Sequence, residues 1–246
     1  MLAGEFRVVA PRERARVSLE DGAREFGGSS AARALEDVVE VRPTSWRVNY
    51  LLGQLRIQIG ETSGAIVALE HANALRPLGG EDLVVLAELY LAADAPILAA
   101  IFAAAIQELT GDDYSEAQQE AWLSAAEDEE QFGKKLASEL TLIATLQNSP
   151  VGFASLKGPD HIDMLYVHPS VVGQGVGAML CDALEKLAGG RGAKNLTVEA
   201  SDNALEFFKK RGYVAKQRNT VIVNGEWLAN TTMQKALPNA APGAPS

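Results

Sequence analysis

Three glycines that alternate with other residues, just ahead of an amphipathic helix, form the part of this 246-residue chain best suited to binding chemistry. Gly173, Gly175 and Gly177 have no side chains to shield the backbone N–H groups around them. Free N–H groups at the start of a helix, together with the helix dipole, attract anions. The sequence therefore predicts a phosphate or pyrophosphate site in this turn.

Two other interpretations of the glycine turn stay open on this pattern. Gly173, Gly175 and Ala178 also satisfy the dinucleotide-binding pattern Gly-x-Gly-x-x-Ala, but that pattern belongs to strands and helices alternating around a parallel sheet. The flanking segments indicate hairpins instead, because residues 148–150 and the pair Asn224-Gly225 are turn sequences between apolar runs. A tight strand-to-helix turn without a ligand would have the same composition.

The order of elements around the turn is more specific than the glycines alone. A strand ending Leu-Tyr-Val-His-Pro at residues 165–169, the glycine turn and an amphipathic helix resemble the acetyl-CoA-binding core of the GNAT superfamily of N-acetyltransferases. Residues 201–213 resemble the next helix of that family and its Gly-aromatic ending. The resemblance covers residues 83–237. It implies the GNAT acyl-CoA N-acyltransferase fold, an α/β (α+β) fold with a mixed, mostly antiparallel sheet and flanking helices.

Acetyl-CoA is the cosubstrate that this resemblance implies, and no metal is expected. In the family the fourth and fifth strands splay apart and the cosubstrate lies in the gap. Backbone groups of Leu165, Tyr166 and Val167 would bond its pantetheine arm, as a peptide bonds a strand edge. The resemblance also implies that the pyrophosphate binds to the backbone amides of Val172, Gly173, Gln174, Gly175, Val176 and Gly177. Val172 stands where the family has Gln or Arg, so we expect weakened rather than lost pyrophosphate binding. Further contacts to the cosubstrate are expected at Ser201, Ala204 and Phe208.

Acetyl transfer to an amine requires a base for the amine, a donor to the oxyanion and an acid for the thiolate. Asp163 lies on the strand that bears a catalytic carboxylate in some relatives and is the candidate base; a solvated structural carboxylate is the alternative. His161 is close in sequence and titrates in a suitable range. The N–H of Val167 is the candidate oxyanion donor. Alternation along the strand predicts Asp163, Leu165 and Val167 on one face and Ile162, Met164, Tyr166 and His168 on the other.

The acid is less well defined. Phe208 stands where many relatives have the tyrosine that protonates the thiolate, and a phenyl ring has no proton to donate. Ser201 stands where the family has asparagine. Tyr213, Tyr166, Ser201 or water are therefore the candidate donors. Cys181 lies on the helix after the glycine turn, which is the wrong element for a nucleophile, so direct attack by the amine is predicted.

Residues 46–77 resemble a tetratricopeptide repeat. The pair Leu52-Gly53, the small residues Ala65 and Ala72 and the closing Pro77 fall on the 34-residue pattern, although two of its aromatic positions are not aromatic. A generic helical hairpin is the alternative. Such repeats need neighbours to bury their core, and the missing neighbour here could be the catalytic domain or a protein partner.

The predicted domains are a tetratricopeptide-like all-α helical region over residues 1–80, a GNAT N-acetyltransferase domain over 81–237 and a disordered tail over 238–246. The segment Leu83–Leu91 fits either a strand or a further repeat helix. We favour the strand, because the sheet would otherwise lack its first member.

Composition limits the function classes. The net charge of −10 argues against a nucleic-acid partner. Cys181 is the only cysteine, so no disulfide can form within the chain, and a reducing, cytoplasmic location is expected. We identified no apolar run long enough to cross a membrane and expect no membrane partner.

The sequence thus predicts an acetyl-CoA-dependent N-acetyltransferase that acts on a small-molecule or peptide primary amine in a ternary complex. The alternative is a catalytically weak acyl-CoA-binding sensor or scaffold that recruits a protein partner through its helical region. A homodimer is also consistent with the resemblance, since relatives often pair through their sheets.

Overall fold

The computed structural model describes residues 5–9, 25–147 and 149–238, with side chains from residue 31 onward. The turn residue Asn148 and all but the first residue of the predicted disordered tail lie outside the described residues. The described chain forms two compact units. Residues 25–93 make up the first, and residues 5–9 together with 94–238 make up the second.

The first unit is helical. It contains α1 (Glu25–Val41), α2 (Trp46–Gln58) and α3 (Thr62–Leu75), followed by the start of α4 (Gly80–Leu109). Helices α2 and α3 approach closely at Gly53, where an added Cβ would lie only 2.7 Å from Leu69. Ala65 and Ala72 are fully buried on α3. The predicted helical pair is therefore present, whereas its identity as a tetratricopeptide repeat stays a prediction.

The preference for a strand at residues 83–91 was wrong, because this segment belongs to the 30-residue helix α4. Alanine and leucine dominate α4 and favour helix. The first member of the sheet is instead β1 (Glu5–Val9), which pairs antiparallel with β2 (Leu140–Leu146). The buried side chains of α4 recur at helical spacing and include Leu86, Leu91, Ala95, Leu98, Phe102 and Ile106.

By length and composition alone, α4 could cross a membrane, since one of its 18-residue windows has a mean hydropathy of 2.0. The statement that no apolar run is long enough was therefore wrong on that criterion. Core helices meet the same criterion, and Leu91, Leu98 and Ile106 of α4 are fully buried within the protein. The absence of a membrane partner stays an expectation.

The second unit is built on a mixed seven-stranded sheet in the order β1-β2-β3-β4-β5-β7-β6. Among the strand pairs of the described residues, only β4–β5 is parallel. The remaining strands are β3 (Ser149–Lys157), β4 (His161–Val167), β5 (Asn195–Ser201), β6 (Val214–Val223) and β7 (Glu226–Ala236). The remaining α-helices are α5 (Glu116–Leu123), α6 (Glu129–Ala137), α7 (Val176–Gly190) and α8 (Leu205–Lys210).

The alternation predicted for β4 is interrupted by a bulge at Asp163. Ile162 pairs with Leu156 of β3, but the next pair joins Met164 to Ser155, so Asp163 has no partner across the ladder. Ile162 consequently packs in the same apolar cluster as Leu165 and Val167, with α7, and not on the face of Tyr166 as predicted. Asp163 does not share the face of Leu165 and Val167 either, because its carboxylate forms an ion pair with Lys135 of α6.

Candidate active site

A cavity of about 430 Å³ lies where β4 and β5 separate. The two strands are joined only through His161 with Thr197 and Ile162 with Val198. Beyond Ile162 the edge of β4 that faces β5 has no strand partner. The gap expected between these strands is therefore present, with backbone polar groups available along one wall.

The glycine turn closes one end of the cavity, and its backbone conformation requires glycine at two positions. Gly173 has a φ of +79° and Gly175 a φ of +90°, in the left-handed region that other residues rarely adopt. Gly175 caps the N-terminus of α7, a 15-residue helix with no acidic residue in its first turn. A Cβ at Gly177 would lie 3.5 Å from Val167, which is an ordinary contact.

The turn offers fewer free amides than the sequence suggested. The N–H of Val172 donates to the carbonyl of Pro169 and that of Gln174 to the carbonyl of Val171, both at 3.2 Å. Gln174 also directs its side-chain amide to Ser170 and does not line the cavity. Within the described part of the chain, the free amides of the predicted anion site are those of Gly173, Gly175, Val176 and Gly177.

Most of the residues predicted to contact a cosubstrate surround this cavity. They come from β4, the glycine turn, the end of β5 and the following helix, so segments distant in sequence meet at one place. The predicted residues that line it are Leu165, Tyr166, Val167, Val172, Gly173, Gly175, Val176, Gly177, Ser201, Ala204 and Phe208.

Two of the three predicted catalytic residues lie outside the cavity lining. Asp163 is held by Lys135 on the bulge of β4. Tyr213 is only 2 % exposed, and its hydroxyl lies 3.7 Å from the Cys181 sulfur in the core beneath α7. Burial raises the pKa of the Tyr213 hydroxyl well above its ordinary value, so the hydroxyl holds its proton. Neither residue contacts the space where a substrate would bind.

Replacing Tyr213 by phenylalanine is therefore expected to leave turnover within about twofold of the wild type, because the lost hydroxyl does not face the cavity. The change removes one buried hydrogen-bonding group, which typically costs about 1 kcal/mol of stability. Steady-state rates with saturating acetyl-CoA, measured well below the melting temperature, check this outcome. A hundredfold decrease in kcat would contradict this expectation and indicate that Tyr213 donates a proton in the reaction.

The other candidate donors, Ser201 and Tyr166, do line the cavity. The Ser201 hydroxyl donates to the Asn203 side-chain carbonyl at 2.6 Å. The Tyr166 ring packs edge-on against Phe102 with a centroid distance of 4.7 Å and stacks on Phe153 at 5.7 Å. Burial raises the pKa of Tyr166 above its ordinary value, so the phenol stays protonated at neutral pH.

Five polar or aromatic residues of the lining were not among the predicted site residues: Thr110, Trp122, Glu199, Asn203 and Phe207. Trp122 stands edge-on to Tyr114 at 5.3 Å, and Tyr114 bridges the Ala229 carbonyl and the Asp202 N–H through its hydroxyl. The sequence offered one signal for Glu199, a carboxylate at a polar position of a strand that alternates polar and apolar residues. Among the described residues, no group of His, Cys, Asp and Glu is arranged to hold a metal ion.

Comparison with known proteins places these features in a family. The family profile described as Acetyltransferase (GNAT) domain matches residues 110–237. The chain is 34% identical over 145 residues to the Uncharacterized N-acetyltransferase YafP of Escherichia coli (strain K12), an alignment that covers 59% of this chain and 91% of that protein.

Two further similarities agree with this match. The chain is 39% identical over 82 residues to the Peptidyl-lysine N-acetyltransferase YjaB of Salmonella typhimurium, which covers 33% of this chain and 54% of that protein. Among solved structures, it resembles the GCN5-related N-acetyltransferase described as Aminotransferase, Class-II from Rhodopseudomonas palustris. That similarity has 73% identity and a TM-score of 0.58, and covers 59% of this chain and 91% of the other.

Proposed function

The chain is an N-acetyltransferase of the GNAT family, and from this premise we propose that it transfers the acetyl group of acetyl-CoA directly to a primary amine. The observation that carries the proposal is the cavity between β4 and β5, which combines an open strand edge with the free amides of the glycine turn. Acetyl-CoA is a thioester whose long polar arm matches the open strand edge and whose pyrophosphate matches the free amides.

The pyrophosphate binds at the four free amides of the turn, where the dipole of α7 adds to their attraction for negative charge. The arm extends along the β4 edge at Leu165–Val167, and the walls near Ala204 and Phe208 enclose it. Val172 is 52% exposed and contributes no charge to the turn, so the amides provide most of the anion binding there.

Acetyl-CoA supplies the acetyl thioester, and the residues of this chain orient it, exclude water and handle charge. A backbone N–H of β4, with Val167 as the candidate, faces the carbonyl oxygen that becomes negative as the amine attacks. A covalent route through the chain is disfavoured, because Cys181 is buried outside the cavity lining and burial raises its pKa to about 11. The amine therefore attacks within a ternary complex.

The acceptor enters from the face of the sheet that carries α4 and α5. Ile106, Leu109 and Trp122 form an apolar wall there, and Thr110 lies beside them. A small-molecule amine or a peptide lysine, with an apolar stem behind its amino group, would contact such a wall along its length. The relative YjaB is named as acting on peptidyl-lysine, which makes a lysine peptide a sensible member of any acceptor panel.

Two measurements test the proposal. Isothermal titration of the purified chain with acetyl-CoA is expected to show saturable binding. Thiol release from acetyl-CoA is then expected with at least one amine of a panel containing ethylamine, benzylamine, spermidine and a blocked lysine peptide. Binding without turnover on any amine would favour the sensor alternative, and no binding would contradict the assignment of the glycine turn.

A further inference from the structure

Glu199 is the one charged residue among the described residues that line the cavity. Every other described lining residue is apolar, aromatic or neutral and polar. The carboxylate has hydrogen-bonding partners of its own on the protein, and 43% of its side chain is exposed, so it can also bind a cation that enters the cavity. The lone charge therefore points to a ligand that is itself cationic, such as a primary ammonium group.

Alternation along β5 places Glu199 on the acceptor side of the sheet. Leu196, Val198 and Ala200 are buried in the cluster that contains α7 and α8. Residues 197, 199 and 201 therefore point to the opposite face, where α4 and α5 lie. The glycine turn at the start of α7 and the Glu199 carboxylate are consequently on opposite sides of the sheet, as a cosubstrate site and an acceptor site should be.

The position of Glu199 along the strand also fits the chemistry. Val198 is the last residue of β5 that pairs with β4, so Glu199 lies at the point where the two strands begin to part. An acetyl group carried down the gap from the glycine turn would reach this point. The carboxylate is thus next to the space where the thioester and an incoming amine would meet.

Hydrogen bonds fix the carboxylate in place. Its Oε1 accepts from the Thr232 hydroxyl at 3.3 Å, and its Oε2 lies 3.0 Å from Nε2 of His161. Nδ1 of His161 lies 3.0 Å from the Thr197 hydroxyl, which is itself 3.1 Å from the Asp160 carbonyl, so the imidazole ring is held from both sides. Nε2 of His161 is within hydrogen-bonding distance of the Glu199 carboxylate, so one proton can lie between the two groups.

We propose that Glu199 binds the acceptor ammonium and takes its proton, and that His161 is a positioning residue that passes this proton to solvent. The N–H bond of the ammonium breaks, its electron pair stays on nitrogen, and the proton moves to the carboxylate. The Glu199 and His161 side chains are 43% and 28% exposed, so the proton has a route to water. The free amine then attacks the thioester. This inference rests on the proposed function.

The substitution Glu199→Gln keeps the size of the side chain but removes its charge and its proton affinity. It is expected to lower kcat/KM about 100-fold for the best amine of the panel, because general base catalysis contributes at least this much. Acetyl-CoA affinity, measured by titration, should stay within about twofold. Glu199→Asp is expected to recover part of the loss. Glu129→Gln, at an exposed position on α6, is the matched control and should behave as the wild type.

His161→Gln gives a second readout. A positioning role predicts a fall in kcat of roughly tenfold with KM for the amine nearly unchanged, since the ammonium still meets Glu199. A parallel rise in KM would overturn the assigned role of His161. Glu199→Gln turnover within threefold of the wild type would overturn the inference while leaving the transferase function intact. If the wild type itself acetylates no amine of the panel, both the proposed function and this inference fail.

Discussion

Replacing Gly175 by valine is expected to raise the dissociation constant for acetyl-CoA at least about 100-fold, equivalent to roughly 2.7 kcal/mol of binding free energy. Gly175 has a φ of +90°, which a β-branched residue adopts only with strain. The turn would have to change conformation, and the amides of Gly173, Val176 and Gly177 would no longer converge on one anion. Isothermal titration with acetyl-CoA measures the effect directly.

Gly192 provides a matched control for this experiment. Its φ is +92°, and an added Cβ would meet no atom within 4 Å, as at Gly175. It lies between α7 and β5 and does not line the cavity. Gly192→Val should therefore lose a similar amount of stability but keep its affinity for acetyl-CoA. Equal loss of affinity in both variants, or none in Gly175→Val, would show that the turn does not hold the pyrophosphate.

Replacing Phe153 by alanine is expected to lower the free energy of unfolding of the sheet unit by about 3–5 kcal/mol. Phe153 is fully buried at the centre of β3. Its ring stands edge-on to Phe132 at 6.0 Å and stacks on Tyr166 at 5.7 Å, so the change removes two aromatic contacts as well as apolar volume. The cavity wall formed by Tyr166 would lose its support at the same time.

Urea denaturation followed by tryptophan fluorescence measures this loss. Trp122 and Trp227 lie in the sheet unit, and a Trp46→Phe background removes the signal of the helical unit. Phe153→Leu should cost only a part of the loss, because it refills most of the volume. Val221→Ala, at a 42% exposed position on β6, should change stability by less than about 0.5 kcal/mol. A loss below 1 kcal/mol in Phe153→Ala would mean that this aromatic cluster rearranges freely.

Features that depend on a few neighbouring residues could be predicted from the sequence. Serine is typical of the N-cap of a helix, and the Ser115 side chain accepts from the N–H of Gln118 while the Gln118 side chain accepts from the Ser115 N–H. Asn224 and Gly225 were expected to turn a hairpin, and both have positive φ between β6 and β7. These are local choices of backbone conformation, and the residue types that allow them are few.

The misassigned elements depend on distant pairing. β1 is too short and isolated to identify until β2 provides its hydrogen-bonding partner. Without β1, the predicted sheet lacked a first strand, and the helical segment at residues 83–91 was assigned to that place. The bulge at Asp163 likewise depends on how β3 aligns with β4, and it moved the predicted base away from the face of Leu165 and Val167.

The sequence by itself therefore determined the family, the glycine turn and the strand edge beside it, because each is specified by residues that are adjacent in the chain. Only the tertiary structure decided which side chains meet in the cavity. In the structure, Asp163 and Tyr213 lie outside the cavity lining. Glu199 lies where β4 and β5 part, with Nε2 of His161 next to its carboxylate. The physical reason is that side-chain direction follows strand register, and register is set by contacts between segments far apart in sequence.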